Sequence, residues 1–303
     1  MIWHVLALFT ACLWGSTFAA SSVLISAGIT PAEIMCLRFI LAYILLLPFC
    51  HRNIITSWRD ELLFVLLGIT GGSLYFLSEN YAVKLTSYTS TVALIVCTCP
   101  ILTALINRIM WRAEHLSNRF IIGSLLALAG VTLVVLNGVF VLDDNPWVIL
   151  LSFCAALLWS IYSLILKVQE RRYGSDVITR KVFLWGIITM LPVCFMEISN
   201  GDSNLFPLGS NGSVSINIPL LVSTNVSVAL LFLAIIASLG CFLIWNIVCR
   251  RLSVVTASNY LYFNPVTSLF VGAIVLDESV TLLAVIGCAV TILGVWLCNS
   301  KRA

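Results

Sequence analysis

The chain has 303 residues, of which 61% are hydrophobic and 10% charged. A soluble domain carries about 25% charged residues, so water is excluded as the main solvent. The formal net charge of +3 lies between apolar runs and not in a basic stripe interleaved with aromatics, which excludes a nucleic-acid surface.

About 20 apolar residues, each rising about 1.5 Å, cross the hydrocarbon core as a helix, and inside lipid the backbone must satisfy its own hydrogen bonds. The apolar runs predict helices over 3–25, 32–49, 62–81, 89–109, 120–140, 147–166, 182–198, 226–248, 257–276 and 282–298. This is an all-α integral membrane fold of ten transmembrane helices. The first run is read as a retained helix, because no Lys or Arg precedes it as a signal peptide requires. Residues 200–225, rich in Gly, Ser and Asn, read as a long outer loop without a core of its own. With the N-terminus inside, fourteen of the sixteen Lys and Arg fall on inner connections or the C-terminal tail, Lys84 falls outside and Arg38 within a span. The positive-inside rule then places both termini in the cytoplasm, with a bacterial cytoplasmic (inner) membrane as the expected location. The eleven cysteines lie mostly in apolar runs, where the thiol behaves as a small hydrophobe, and no disulfide framework or metal site is expected.

The chain repeats itself. ACLWGS at 11–16 answers AALLWS at 155–160, pairing Trp14 with Trp159. Pro100 answers Pro265, Glu114 answers Glu278, and GSLLALAGV at 123–131 answers GCAVTILGV at 287–295. Residues 1–141 and 146–303 therefore read as two five-helix repeats. Five is odd, so the second copy enters from the opposite face and the repeats are inverted, an arrangement that recurs in secondary transporters.

LWGSTF in the first helix, Arg38 in the second, NYAVKLTSYTSTVAL leading to Pro100, WRAEHLS after the fourth helix, and VTASNYLYFNPV followed by VLDESVT in the second half resemble, in order and spacing, the drug/metabolite transporter superfamily, specifically its EamA-type members. The resemblance implies two EamA domains, a central cavity, and export or exchange of small metabolites such as amino acids. Glu79 and the long 200–225 loop depart from the common pattern.

Trp14 and Trp159 fall near the bilayer midplane, where a tryptophan needs packing or a partner for its indole N–H. With Ser16, Ser160 and Tyr162 they are cavity candidates, or they pack the repeats together. Pro100 and Pro265 each remove a ladder bond in mid-span and should kink their helices, freeing carbonyls near Val96 and Leu261. By helical spacing Tyr260, Asn264, Thr267 and Ser268 share one face of the ninth helix, lining the cavity or bonding a neighbouring helix. Gly68 with Gly72, Gly123 with Gly130, and Gly287 with Gly294 allow close helix approach. Glu114 and Glu278 precede helix N-termini, whose positive ends favour an acid. Arg38 and Glu79 are expected to form a buried charge pair that fixes two helices or also gates or couples transport, because arginine in mid-span costs about 2.5–3.5 kcal/mol unless compensated.

These features read as a secondary-active transporter working by alternating access, with a small-molecule substrate, the lipid bilayer and a coupling ion as partners. No GxxxxGK[ST] motif supports direct nucleotide drive, so a gradient must supply the energy. His4, His51 and His115 are scattered, with no clustered acid/base or metal spacing, so no enzyme and no cofactor are expected. The alternative is a non-transporting receptor or assembly factor on the same scaffold. The basic asymmetry makes a direct prediction: single cysteines in the loops of Arg112, Arg172 and Arg251 label from the cytoplasm, and those in the loops of Asp144, Ser203 and Asp277 from outside. Cytoplasmic labelling of Asp277→Cys would overturn the span count and the inversion together.

Overall fold

The computed structural model describes residues 1–50, 56–86, 89–111, 117–136, 145–209, 213–275 and 280–300. Among them nine helices are long and apolar enough to cross a bilayer. They are α1 (Ile2–Ser26), α2 (Pro31–Phe49), α3 (Trp58–Leu85), α4 (Thr91–Met110), α5 (Asn118–Leu136), α6 (Pro146–Gln169), α7 (Ser175–Ser199), α8 (Thr224–Leu252) and, beyond one further helical stretch, the helix Leu282–Asn299. That intervening stretch, α9, is in three pieces, Val254–Ser258, a 3-10 turn at Asn259–Tyr262, and Phe263–Val275; Leu282–Asn299 is α10. The predicted span 257–276 falls on α9. His51, Arg52, Arg112, Glu114, His115, Asp144, Asp277, Glu278, Lys301 and Arg302 lie outside the described residues.

Helix starts carry their own polar partners. Thr30 and Glu33 form a reciprocal capping box ahead of Pro31, and the side chains of Ser57, Asn145 and Thr281 accept from the first turns of α3, α6 and α10. Each satisfies an N–H that the helix ladder leaves open. The 200–225 segment does have an anchor: Leu205 and Ser203 are buried, Asn204 N–H donates to Gly28 O at 3.0 Å, and Ser203 Oγ donates to Glu33. Gly28 has φ +82°, and a Cβ there would overlap Asn204.

The helix interiors are irregular near mid-span. α1 breaks at Ser16, between Ile2–Gly15 and Thr17–Ser26. α4 breaks at Cys97 and Thr98, just before Pro100, separating Thr89–Val96 from Cys99–Trp111. α9 tightens to a 3-10 turn before Pro265. α3 and α8 widen into π-helical stretches at Ile69–Ser73 and Phe232–Gly240. Proline accounts for the second and third, since it cannot donate and its ring crowds the preceding turn; wide turns of this kind are frequent at functional sites.

The packing is reciprocal. α1 lies against α8 and α9 as α6 lies against α3 and α4, and α2 and α7 each pack on the wide stretch of the other half's helix, in α8 and α3 respectively. α5 and α10 run antiparallel, and their glycines meet: Gly123 lies beside Gly294, and Gly130 beside Gly287. A Cβ on Gly294 would sit 2.4 Å from Ala127 N, and one on Gly130 2.5 Å from Thr291 N. Both neighbours include backbone, which cannot rotate away.

At the end of α6 a surface cleft lies between Lys167, Glu170, Arg171, Arg250 and Ser253. Glu170 is 5% exposed and its Oε1 has no hydrogen-bond partner. Burial pushes its carboxyl up from 4.5 to about 8, against the opposing pull of Arg250.

Two outcomes follow from this packing. Gly294→Ile should destabilise the detergent-purified protein by about 1–3 kcal/mol or more through overpacking, read as a lower thermal midpoint. For Glu170, the folded chain holds a proton between its two values that the unfolded chain releases, so stability falls as pH rises from about 4.5 towards about 8. Glu170→Gln should flatten that fall in thermal melts taken across the range.

Candidate functional site

The mid-span breaks lie around one small cavity. α1 contributes Trp14, Thr17 and Phe18; α2 contributes Arg38; α3 contributes Tyr75, Phe76 and Glu79; α4 contributes Val96 and Cys99; α6, α8 and α9 contribute Trp159, Phe242, Leu261 and Asn264. The space is about 30 Å³, room for a water or two, so a metabolite enters only if the helices part.

Its floor is aromatic. Trp14 meets Trp159 edge to face at 5.1 Å between centroids and Trp245 at 5.0 Å, and Tyr75 lies 5.0 Å from Trp159. Such offset and edge contacts suit the ring quadrupoles. The Trp14 indole N–H donates to Ala237 O at 3.0 Å, a carbonyl in the wide stretch of α8. The Trp159 indole N–H, though 4% exposed, has no protein acceptor. Two residues paired by the sequence repeat thus differ: one is anchored and one carries an unused donor.

The walls hold the charges. Arg38 is 1% exposed; its Nε donates to Ser238 Oγ at 2.8 Å, and the guanidinium carbon lies 4.4 Å from the centroid of Phe76, a cation–π arrangement. Glu79 accepts from Tyr75 O–H at 2.7 Å. Arg38 and Glu79 line the same cavity without ion-pair contact; the ion pairs among the described residues are Arg172–Asp60 and Lys181–Glu61. The two expected residues are thus both buried on one cavity, with Ser238 and Phe76 against the cation and Tyr75 against the acid.

The other expected site residues separate into distinct places. Asn264 reaches the cavity, and its Oδ1 is buried without a donor. Ser160 is buried behind it, donating to Ala156 O and Cys99 O at 2.8 and 3.2 Å. Tyr162 is buried beyond Trp159, its O–H donating to Asn246 at 3.2 Å. Ser16 donates to Leu13 O across the α1 break and faces a lateral groove with Thr224 and Asn225. Tyr260 shares a hydrogen bond with His4 at 2.6 Å, in a cleft with Asn299. Ser268 is half-buried on α9 and does not line the cavity. Tyr75, Phe76, Phe242 and Ser238 complete the site; the small-residue run 71–73 beside Tyr75 is the one sequence signal that pointed towards them.

The helix breaks leave carbonyls that other elements use. Leu261 O, in the 3-10 turn ahead of Pro265, accepts from Cys97 Sγ at 3.5 Å. Gly15 lets α1 approach α9 so closely that a Cβ would lie 2.4 Å from Asn264 O. Irregular backbone at membrane depth is tolerated where protein or a polar cavity satisfies it.

Comparisons with known proteins agree with this architecture. A protein of known crystal structure, 19% identical, superposes with a TM-score of 0.70 over 98% of this chain and 96% of its own, a likeness of fold. Two uncharacterized transporters of Archaeoglobus fulgidus are 24% and 26% identical, covering 99% of this chain in both cases and 98% and 99% of their own lengths. A protein of Streptantibioticus cattleyicolor named a probable terminal-alkyne amino-acid exporter is 25% identical over 80% of this chain and 74% of its own. The model of the EamA-like transporter family matches residues 1–136 and again 146–300. With apolar helices of membrane-crossing length, a cavity at their breaks lined by aromatic and a few polar side chains and a family match over nearly its whole length, this chain is an integral membrane protein of the EamA-like transporter family.

Proposed function

We propose that the protein is a secondary-active transporter that exports or exchanges a small polar metabolite, such as an amino acid, by alternating access of two inverted five-helix repeats spanning the membrane ten times. The observation that carries this reading is the cavity itself, aromatic-walled with Arg38, Glu79 and Asn264 on its lining, and built where α1 to α4 meet α6, α8 and α9. The reciprocal packing of α1 and α6 and the double family match support two rocking halves, since alternating access moves one repeat against the other around a fixed site. The antiparallel glycine seam of α5 and α10 supports their inversion. The named amino-acid exporter among the relatives supports the substrate class. On this reading both termini are cytoplasmic, the membrane is a bacterial inner membrane, and a solute or ion gradient drives flux.

The small size of the cavity favours a second reading, a receptor or assembly factor that does not transport. Flux separates the two. Proteoliposomes preloaded with a broad metabolite mixture should lose one chemical class faster than protein-free vesicles, and mass spectrometry of the external medium would identify it. Folded protein that passes no member of the mixture would overturn the transport reading and leave the second.

A further inference from the structure

Arg38 and Glu79, a basic and an acidic side chain, line one cavity without an ion-pair contact. In a medium of low dielectric their attraction is strong, and two long side chains facing one cavity would ordinarily close on each other. Each is instead held by its own neighbours, Arg38 by Ser238 and the Phe76 ring, Glu79 by Tyr75. A guanidinium has five N–H donors, and Arg38 makes one hydrogen bond. An ionised carboxylate offers about four acceptor sites, and Glu79 uses one. The cavity holds one more open group of each kind, the Trp159 N–H donor and the Asn264 Oδ1 acceptor. Buried polar groups have a partner in about nine cases of ten or more, so two without one, beside a cation and an acid that each use a single hydrogen bond, point to a ligand.

The second half is built without these charges. Counted from the Trp14–Trp159 pair, Arg38 falls opposite the apolar residues Val182 and Phe183, and counted from Pro100–Pro265, Glu79 falls within the apolar run Leu243 to Trp245. In the second half the equivalent places are filled by apolar packing, with Trp245 fully buried against Trp14. The cation and the acid are thus confined to the first half, and both are replaced in the second.

The geometry points to a zwitterion site: the solute's carboxylate binds Arg38, its ammonium binds Glu79, and its apolar part lies on the aromatic floor of Trp14, Trp159 and Phe242. This deepens the transport reading and rests on it. A carboxylate offers the planar bidentate acceptor that a guanidinium fits, and an ammonium supplies the donors that Glu79 and Asn264 lack. A solute with both charges on neighbouring atoms bridges the gap that the side chains leave; one with a single charge leaves the other residue unpaired and desolvated, which is costly.

The test is competition for uptake into proteoliposomes of whichever metabolite class proves transported, using matched sets: an α-amino acid, the amine lacking its carboxylate, and the acid lacking its amine, for example phenylalanine, phenethylamine and 3-phenylpropionate, with the leucine set alongside. Zwitterions should compete at least about tenfold better than either partner compound, since a site built to bond a group discriminates against its absence. Glu79→Gln should abolish the preference over the acid alone, and Arg38→Gln the preference over the amine. Arg38→Lys keeps the charge and the fold while losing the fork, so it should retain uptake with a weaker preference over the amine. A transported solute with one charge or none, or a zwitterion preference unchanged in Glu79→Gln and Arg38→Lys, would overturn the site and leave the transport reading standing. Absence of all flux would instead overturn the transport reading on which it rests.

Discussion

The membrane interior has to hold a guanidinium, and the middle of this protein is arranged around that constraint. Arg38 is buried inside the helix bundle, so its environment must come from other helices. One ring of α3 lies against its face and one hydroxyl of α8, two hundred positions away in sequence, takes its Nε. Those contacts require α2, α3 and α8 to converge at one depth. The convergence sets the cavity: Phe39, on the residue after Arg38, packs among Phe76, Phe183 and Phe242 and closes the space behind the charge. Removing one partner of a buried ion costs far more than the contact itself contributes, because the remaining group stays desolvated.

A second requirement follows from the solvent. In lipid every broken ladder bond must find a partner, yet a cavity in a helical bundle needs helices that are not straight. The protein answers with partners from the opposite half. The carbonyl of Ala237 takes the Trp14 indole, that of Leu261 takes the Cys97 thiol, and that of Cys99 takes the Ser160 hydroxyl. The last contact and the approach of Gly15 to Asn264 O occupy corresponding places under the sequence repeat, Gly15 with Ser160 and Cys99 with Asn264. The same junction is made once by a hydroxyl and once by a bare backbone.

What the sequence made legible was whatever disturbs or permits helix packing locally. Pro100 and Pro265 marked the interruptions of α4 and α9, the paired tryptophans marked the cavity floor, and the seven-residue glycine spacing marked the seam of α5 and α10. Side-chain direction was harder. Grouping Tyr260, Asn264 and Ser268 by three- and four-residue steps assumes an unbroken α-helix, whereas the 3-10 turn at Asn259–Tyr262 advances about 120° per residue instead of about 100°. The face is cut at that point, and Tyr260 turns to His4 while Asn264 turns inward. Ser16 is displaced by the same kind of event, a break at its own position. Ser238 and Phe242 stayed hidden because the wide stretch of α8 has no periodicity of its own in an apolar sequence, and because the partner of Arg38 is chosen by tertiary packing alone.

The wide stretch of α8 carries one further consequence. A π-turn bonds each N–H to the carbonyl five residues back, wider than the α-helical ladder. In α8 the stretch Phe232–Gly240 contains both Ala237, which anchors Trp14, and Ser238, which anchors Arg38. Adjacent residues of one irregular stretch hold both contacts, so α1 and α2 are moored to the second half at a single point of α8, and any change in its winding there reaches the two helices together.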